Sequence, residues 1–538
     1  MMNDNLTEVQ KVKQAIYSNV NEDNDELSID EEVISDGLPN EIEANEIADQ
    51  NSYKDILYKI DYKILELEIK EEDSKDKVKI KEILNHYINS IKHNVTPETW
   101  LTFRDLLCDD PLEIKNPDNK KIYTIGMLRF IMEYSEKYKW LFARDGEKRF
   151  IYNGSYWIEI SIDLLKEFLI LVAYKMKIPE YYSEDTKFID NIVISLLEKD
   201  FFKKMIFPKE TLINLQNGTL FITSNGVKLL DSHPCDYLTY QLPFSYDSRR
   251  KNKAFLNFLN EVLPDKDTQK TLQQSIASLF IHCLKIEKVP FLYGTGANGK
   301  STIFEVLKGL LDSSLICQYS LESLVDSKGY ERSELQGKLI NYGSDINMKK
   351  INHGIFKQLA SGEPIQVRPI YKQPFIMERY AKMIFNINKI DDADIEQTIG
   401  FFRRMIFIPF QMRIPPNRQN KNLHNEILQD KAGVLNWIIE GIEEVIIQQD
   451  IFISRECELF LDRFIQESNL ATRFVNEHEV TNTKETTTFQ KMYNKFREFC
   501  KNEGEKPLTK ISFNRELKKL HFRSTRHSSG MVWHASYR

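Results

Sequence analysis

Apolar residues recur with different periods along this chain, and the period predicts where helices and strands lie. Over residues 53–91, and again over 251–285, they return every three or four positions, which predicts amphipathic helices. Residues 149–158 instead form two β-rich arms around Asn153-Gly154, a hairpin signal. We therefore predict a helical and mixed α/β domain over residues 51–250.

Two aromatic residues of that hairpin, Tyr152 and Trp157, have side chains that could stack on nucleic-acid bases. They occupy alternating strand positions, however, and such positions favour packing in a core. We expect core packing.

Short apolar runs after residue 285 predict a second, sheet-centred domain over residues 251–450. Residues 289–293, 338–345, 382–388 and 401–410 each read as a buried strand with polar residues at its ends. Continuous apolar strands separated by helical stretches are typical of a parallel sheet with flanking helices.

A phosphate-binding loop follows the first of these strands. Gly294, then Gly299-Lys300-Ser301 after four intervening residues, fits the pattern, and apolar residues continue beyond it at helical spacing. Glycines let consecutive N–H groups face an anion, Lys300 would reach the β- and γ-phosphates, and the Ser301 hydroxyl would ligate Mg²⁺. The predicted nucleotide-binding residues are Gly294, Thr295, Gly296, Ala297, Asn298, Gly299, Lys300, Ser301 and Thr302.

Polar residues at the ends of the other strands are candidates for the same site. Asp345 follows a strand where Mg²⁺ and an attacking water need a carboxylate, although it could equally cap a turn. Asn388 ends the next strand and could hold the γ-phosphate or the water. Arg403 and Arg404 precede the last strand; an exposed pair there could reach a neighbouring subunit's nucleotide, or form a surface ion pair.

Charge changes the picture through its distribution rather than its sum. The net charge is −7, but residues 1–50 hold fourteen acidic residues against two lysines, a net of −12. That segment reads as a disordered acidic arm, with a regulatory docking segment as the alternative. Residues 481–538 hold eight Lys, five Arg and five Glu, a net of +8, which favours a nucleic-acid partner over a merely solvated face.

Composition otherwise describes an ordinary globular chain. The longest apolar stretches are too short for a membrane span, and the acidic N-terminus lacks the apolar region of a signal peptide. The six cysteines contain no C-x-x-C pair, which argues for a reducing compartment and against a zinc ribbon. A cytoplasmic location without membrane contact is the expectation.

The basic C-terminal segment carries the order of a winged helix-turn-helix. Helical periods over residues 488–501 and 512–520 precede a short strand and a polar loop that closes on residues 531–533. Residues 451–480 read as a helical, polar linker before it. The side chains predicted to face DNA from the second helix or the wing are Lys510, Arg515, Lys518, Lys519, Arg523 and Arg526.

Together these motifs resemble the superfamily 3 helicases, in particular the helicase half of phage and plasmid primase–helicases and poxvirus-type replicative ATPases. The resemblance rests on their order within 111 residues: Lys300-Ser301, Asp345, a hairpin segment at 365–375, Asn388 and Arg404. It implies an AAA+ P-loop ATPase core whose hairpin enters the channel of a ring. The hairpin residues implied to bind DNA are Arg368, Tyr371 and Lys372.

Two departures from the family pattern bear on these expectations. The family usually carries Glu where this chain has Asp345, which leaves the catalytic base less certain than the phosphate loop. Many relatives also carry an N-terminal primase, and residues 1–130 are too short and too helical for one.

The resemblance, joined to the basic module, is similar to self-loading replication initiators of bacterial mobile elements. It implies an ATP- and Mg²⁺-dependent homohexameric DNA helicase in a bacterial host, moving 3′ to 5′ with one strand in its channel and duplex DNA at the C-terminal module. The acidic arm would dock a replication or regulatory protein. Two alternatives remain: an AAA+ helicase loader or remodelling ATPase without unwinding, and a DNA-binding regulator whose assembly ATP controls.

Overall fold

The computed structural model describes residues 66–91, 120–199, 201–344, 351–388, 399–467, 469–504, 507–527 and 530–536. The chain forms two compact units, one of residues up to 208 with 232–240, the other of residues 209–231 with 241–538. The predicted acidic arm, residues 1–50, lies outside the described residues. Each helix within the described ranges is too short or too polar to cross a membrane.

The first unit combines helices with a small sheet. Its elements are α1 (Lys75–Ser90), α2 (Lys120–Lys137), β1 (Phe142–Asp145), β2 (Lys148–Tyr152), β3 (Trp157–Glu159), α3 (Ile162–Lys175), α4 (Glu180–Ser183), α5 (Thr186–Glu198), β4 (Lys203–Lys204) and a 3₁₀ turn (Pro234–Asp236). The sheet has the order β3-β2-β1-β4. The apolar residues predicted at helical spacing are buried together; Leu165 and Phe168 on α3, for example, are fully enclosed.

The predicted Asn-Gly hairpin is confirmed as β2 and β3, which pair antiparallel. The Asn153 side-chain oxygen accepts hydrogen bonds from the N–H groups of Ser155 and Tyr156, which closes the turn. Tyr152 and Trp157 are buried, and Trp157 Nε1 donates to the Pro234 carbonyl at 2.9 Å. Both rings therefore pack in a core, as expected, and are unavailable for base stacking.

The second unit begins with a three-stranded antiparallel sheet and is built around a five-stranded one. Its elements up to residue 467 are β5 (Thr211–Leu215), β6 (Gly218–Thr223), β7 (Gly226–Leu230), α6 (Lys253–Val262), α7 (Lys266–Ser278), β8 (Val289–Tyr293), α8 (Lys300–Leu311), a 3₁₀ turn (Ser313–Leu315), β9 (Ile316–Cys317), α9 (Leu321–Leu324), α10 (Tyr330–Ser333), β10 (Ile340–Gly343), α11 (His353–Ser361), β11 (Ile365–Val367), β12 (Phe375–Met377), β13 (Lys382–Ile387), α12 (Ile399–Phe402), β14 (Met405–Pro409), a 3₁₀ turn (Pro416–Arg418), α13 (Leu423–Leu428), α14 (Lys431–Gln448) and α15 (Arg455–Glu467).

The five-stranded sheet is parallel throughout, in the order β14-β8-β13-β10-β9. Its strands are buried on both faces, which is why they read as continuous apolar runs in the sequence. The predicted α/β core with a parallel sheet is thus confirmed. In such a sheet all carboxyl ends meet at one edge, and ligands bind beyond that edge.

The C-terminal residues form a module with its own core. Its elements are α16 (Leu470–Glu477), β15 (Thr481–Thr488), α17 (Phe489–Asn502), α18 (Lys510–Lys519), β16 (Ser524–His527) and β17 (Gly530–Ser536). The strands are antiparallel in the order β15-β17-β16. Trp533 and Phe513 are fully buried, and the Phe496 and Phe513 rings stack at 4.1 Å.

The predicted linker at residues 451–480 is not a connector in the structure. Phe460 and Phe464 of α15 pack in the core of the parallel sheet, whereas Leu470 and Phe474 of α16 belong to the core of the C-terminal module. The module therefore begins near residue 469 rather than 481. The boundary at 250 shifts as well, because β5–β7 cluster with the second unit.

Candidate functional site

The predicted phosphate-binding loop connects β8 to α8 and needs glycine at defined points. Gly296 and Gly299 have φ values of 104° and 89°, in the left-handed region that other residues avoid. A Cβ on Gly299 would also lie 2.8 Å from Phe258 Cε2 and Val262 Cγ1 of α6. The loop is therefore pressed against the helix that leads into this domain.

Backbone and amide contacts fix the loop between two strand ends. Gly294 N–H donates to the Ile387 carbonyl at the end of β13, and Ile414 N–H donates to the Ala297 carbonyl. The buried Asn298 donates from Nδ2 to the Phe410 carbonyl at 3.1 Å. No sequence pattern indicates this anchoring role for Asn298, because its partner lies 112 residues away.

Lys300 is the first residue of α8, and its side chain is buried, with 4% exposed. Its Nζ donates to the Gly294 carbonyl at 2.5 Å and to Asn298 Oδ1 at 3.0 Å. Among the described residues no carboxylate pairs with this ammonium, and desolvation lowers its pKa below the ordinary value of lysine. A buried cation held by neutral oxygens at a helix N-terminus fits a phosphate ligand.

Ser301 and Asn388 lie at the same edge of the sheet. Ser301 is exposed at the start of α8, where its hydroxyl can reach a metal ion bound with the phosphates. Asn388 directly follows β13, whose last residue, Ile387, pairs with Tyr293 at the start of the loop. The parallel register therefore brings Asn388 close to Gly294, and its role in holding the γ-phosphate or the water stays a prediction.

Asp345 lies outside the described residues, so its role stays a prediction. The strand before it, β10, ends at Gly343, which pairs with Phe385 of β13. On the same two strands the Tyr342 hydroxyl donates to Asn386 Oδ1 at 3.0 Å. This hydrogen bond ties β10 to the strand that ends in Asn388.

Arg403 and Arg404 are not the exposed pair that the sequence suggested. The Arg404 side chain is 10% exposed; Nε and Nη2 donate to Ser361 Oγ, Nη1 to the Gly400 carbonyl, and Nη2 also to Glu287 Oε2 at 3.0 Å. The Arg403 side chain is 61% exposed and has one ion pair, at 3.4 Å, with Glu287. Arg403 alone is free to move toward a partner.

The two arginines lie at the opposite edge of the sheet from the phosphate loop. They precede β14, whose first residue, Met405, pairs with Val289 at the amino end of β8. The loop follows the carboxyl end of β8, about 13 Å further along the strand. Neither arginine is therefore placed to act on the nucleotide of its own subunit.

Glu287, which the sequence analysis did not identify, forms ion pairs with both Arg403 and Arg404. Partial burial opposes its ionisation, but Lys285, Arg404 and Arg403 together hold the pKa of its carboxyl below the ordinary value. Lys285 Nζ lies 3.2 Å from Glu287 Oε1. Glu287 thus pairs with all three cations, and Lys285 also reaches a second carboxylate, Glu363 Oε1, at 3.3 Å.

The predicted hairpin is confirmed as β11 and β12, paired antiparallel from Ile365↔Met377 to Val367↔Phe375. Tyr371 at its turn is fully exposed and has a φ of 61°, and Lys372 and Arg368 are exposed as well. An exposed aromatic ring beside two cations suits contact with a nucleic-acid strand.

The second basic surface is the outer face of α18. Phe513 and Leu517 face the module's core, whereas the long basic side chains on the other faces are exposed. Lys519 pairs with Glu516, and Lys510 donates to Gln490 Oε1 of α17. The exposed basic residues on α18 and in the loop after it are Lys510, Arg515, Lys518, Lys519 and Arg523.

Arg526, predicted on the wing, lies in β16 opposite Met531 of β17. Together β16 and β17 make a hairpin at the edge of the module. Its register gives Arg526 a place on a wing-like hairpin.

Three segments of the chain match known family models. Residues 292–404, from the phosphate loop to Arg404, match a family of unknown function, DUF5906. Residues 128–264 match the model described as D5 N terminal like, and residues 466–536 match the model described as Poxvirus D5 protein-like. The last match begins close to the start of the C-terminal module in the structure.

A curated relative is the putative helicase L207/L206 of Acanthamoeba polyphaga mimivirus. It is 23% identical over 482 residues, which is 73% of this chain and 48% of the relative. The chain thus spans about half the length of that relative. With the two D5-like matches, it supports a resemblance to helicases of the superfamily 3 type.

Solved structures of the NrS-1 C-terminal region are also similar. Its A form apo structure is 12% identical, with a TM-score of 0.41, covering 72% of this chain and 93% of the other. A second apo structure of residues 305–718 is 13% identical, also with a TM-score of 0.41, covering 76% of this chain and 98% of the other. These scores are too low to establish a shared fold.

Proposed function

We propose that this protein is an ATP-dependent replicative DNA helicase that assembles into a ring and loads at a recognised duplex site. The observation that carries the proposal is the buried Lys300 ammonium, held by neutral oxygens at the N-terminus of α8. The place of Asn388 near the start of the loop, and the exposed hairpin of the same unit, support the other parts that such a motor needs.

Each residue of the nucleotide site has a separate task in this proposal. Lys300 would leave its contacts with Gly294 and Asn298 and bind the β- and γ-phosphates. Ser301 and Asp345 would hold Mg²⁺, which when bound would neutralise charge on the phosphates. Asn388 would orient the attacking water or the γ-phosphate, and the Asp345 carboxylate would act as the base that accepts the proton of that water. ATP and Mg²⁺ are therefore the proposed cofactors.

Arg403 is the residue best suited to complete the site of a neighbouring subunit. It lies at the edge of the sheet opposite the phosphate loop, so it would meet a nucleotide across a head-to-tail interface. Such interfaces close into rings, and the resemblance implies six subunits. The buried Arg404 would support that edge from within its own subunit.

A helicase must also grip the strand that it moves along, and the β11–β12 hairpin is the candidate. Lys372 and Arg368 would contact phosphates, and the Tyr371 ring would stack on a base. A helicase loader has no need of such a projecting aromatic tip. The exposure of Tyr371 therefore favours the helicase over the loader.

We expect Lys372→Ala to lower the rate of strand displacement on forked DNA by about tenfold, because one phosphate contact and its charge are lost from the channel. ATP hydrolysis without DNA should stay within twofold of the wild-type rate. Lys372 lies in the β11–β12 hairpin, whereas Lys300 lies at the start of α8, far from it in the sequence. Lys421→Ala, which removes another exposed lysine outside the hairpin, is the matched control. Equal unwinding by Lys372→Ala and wild type would remove the hairpin from the mechanism.

The C-terminal module would provide recognition of duplex DNA. Its order α16-β15-α17-α18-β16-β17 and strand order β15-β17-β16 support the proposal of a winged helix-turn-helix, in which α18 would be the recognition helix and β16–β17 the wing. The exposed basic residues of α18 support the same reading. Because base edges in the major groove carry sequence information, α18 would select the loading site.

We expect deletion of residues 469–538 to abolish site-selective duplex binding and to spare ATP hydrolysis, because the module has a separate core. Affinity should fall by about tenfold or more at 100 mM salt, as most duplex phosphate contacts are lost. Deletion from residue 481 is a poorer test, because it would expose Leu470 and Phe474 of α16. A truncated protein that kept its sequence preference would show that another region reads the site.

A strand-displacement assay on forked DNA, with and without ATP, is the direct test of the whole proposal. ATP-dependent release of one strand is expected. ATP hydrolysis without unwinding would favour the loader, and duplex binding that changes with ATP but without turnover would favour the regulator. The polarity, the bacterial mobile-element host and a partner for the acidic arm stay predictions.

A further inference from the structure

One large apolar side chain stands on the basic face of α18. Ile511 is 83% exposed, although it lies in the first turn of an ordered helix. Single exposed apolar residues are common on protein surfaces, so exposure alone carries nothing. The position of Ile511 on this helix is what distinguishes it.

At 100° per residue, Ile511, Arg515 and Lys518 fall within about 60° of one another on α18. The buried Phe513 and Leu517 lie on the opposite side. The three side chains therefore form one outward stripe, with an apolar residue at its N-terminal end and two cations along it. We call it the Ile511 stripe.

Hydrogen bonds and ring packing fix the first turn of α18, on which Ile511 lies. Thr509 caps the helix by accepting from the Ser512 N–H, and Lys510 Nζ donates to Gln490 Oε1 of α17 at 2.8 Å. The stacked rings of Phe496 and Phe513 join the same two helices. Ile511 is therefore presented by a fixed turn rather than by a frayed end.

The charge of this surface identifies the kind of partner. Arg515 and Lys518 share the stripe with Ile511, and Lys510 and Lys519 lie on either side of it on α18. These four cations would attract the phosphates of a duplex. An isoleucine side chain would make no favourable contact with charged phosphates. In the major groove, however, one base presents an apolar group, the C5-methyl of thymine.

We propose that Ile511 reads a thymine methyl group in the major groove and so determines part of the sequence that this protein selects. The inference rests on the proposed role of the C-terminal module in duplex binding. In helix-turn-helix proteins the N-terminal residues of the second helix contact base edges, which is where Ile511 lies.

The helix spacing also predicts the form of the site. Ile511 and Arg515 are about 6 Å apart along α18, which corresponds to about two base steps. Arg515 is suited to a bidentate contact with guanine O6 and N7. The selected sequence should therefore hold a thymine about two base pairs from a guanine.

The test uses the full chain and a duplex library with a random central segment. Selection by the wild-type protein should enrich a motif containing thymine. Replacing each thymine of that motif in turn by deoxyuridine removes only the methyl group, and at one position it should weaken wild-type binding by about fourfold. The Ile511→Ala protein should bind the thymine and deoxyuridine duplexes equally.

Ile447→Ala is the matched control, because Ile447 is an isoleucine of α14 that is 64% exposed outside the module. It should keep the full preference for thymine. If Ile511→Ala discriminates thymine from deoxyuridine as the wild type does, or if the selected motif has no thymine, Ile511 does not read a methyl group.

Two further variants separate this result from the fate of the proposed function. Lys518→Ala should weaken binding to all duplexes alike, since phosphate contacts carry no sequence information. If Lys518→Ala and Arg515→Ala leave duplex binding unchanged, the C-terminal module does not bind DNA, and the proposed recognition role fails together with the inference on Ile511.

Discussion

Replacing Lys300 by alanine should lower ATP turnover by about 10²–10³-fold, the loss expected when a donor to the transferred phosphoryl group is removed. Lys300 is the buried cation of the phosphate loop, and no other described cation lies within the loop. Steady-state release of phosphate, at ATP concentrations from well below to well above the wild-type KM, measures the loss in kcat and KM separately.

The variant should fold, which makes the result interpretable. Burial lowers the pKa of Lys300, so its charged form is opposed by desolvation in the nucleotide-free protein. Removing that charge should change the free energy of unfolding by no more than about 1 kcal/mol, because water can fill the space of the side chain and donate to the Gly294 carbonyl and Asn298 Oδ1 in its place. Binding of duplex DNA should also persist, since the C-terminal module has a separate core.

Lys308→Ala is the matched control for Lys300→Ala. Lys308 lies on the same helix, two turns further on, with its Nζ 5.8 Å from the centre of the Phe304 ring. Its loss should leave ATP turnover within twofold of the wild type. A folded Lys300→Ala protein that hydrolyses ATP at the wild-type rate would refute the nucleotide site.

The parallel sheet could be predicted from the sequence because each strand is buried on both faces. Val289–Tyr293, Lys382–Ile387 and Met405–Pro409 are short apolar runs with polar residues beyond them, and few other structures produce that pattern. The loop was predicted from its glycine and lysine spacing, and the position of Asn388 from the end of its strand. Residues at the carboxyl ends of parallel strands lie at the same edge of the sheet, and this holds independently of the other elements of the fold.

The difference between Arg403 and Arg404 could not be predicted from the sequence. The two side chains are adjacent and chemically identical, and their exposure depends on Glu287 and Ser361, which are 117 and 43 residues from Arg404. Only the packing of α11 and of the segment before β8 against this edge encloses one arginine and leaves the other exposed.

The start of the C-terminal module was missed for a related reason. α16 has only eight residues, and its buried face consists of a few positions, among them Leu470 and Phe474, between polar and charged neighbours. A sequence with so few apolar positions reads as a linker. Only the structure shows that α16 packs against Phe513 and completes the core of the module. Charge was a misleading guide, because α16 holds one Arg and one Glu, and the net positive charge of the module begins only after this helix.

Arg403→Ala should abolish most ATP turnover, by about 10³-fold if Arg403 acts as an arginine finger, while the protein still folds and binds ATP. The exposed Arg403 side chain has one ion pair, with Glu287, so its loss removes little stability. Arg404→Ala should instead lower the free energy of unfolding by about 2–4 kcal/mol, because Ser361, Gly400 and Glu287 all lose a donor. Chemical unfolding followed by fluorescence separates the two effects.

Mixing experiments then decide whether Arg403 acts on a neighbouring subunit. Arg403→Ala subunits keep an intact phosphate loop, and Lys300→Ala subunits keep an intact arginine, so each supplies what the other lacks. In a one-to-one mixture of head-to-tail rings, about a quarter of the interfaces would pair an intact loop with an intact Arg403. ATP turnover should therefore reappear, although neither variant hydrolyses ATP alone. Mixed rings that stay inactive at every ratio would show that Arg403 does not complete the site of a neighbouring subunit; in its own subunit it lies beyond the end of β8 opposite the loop.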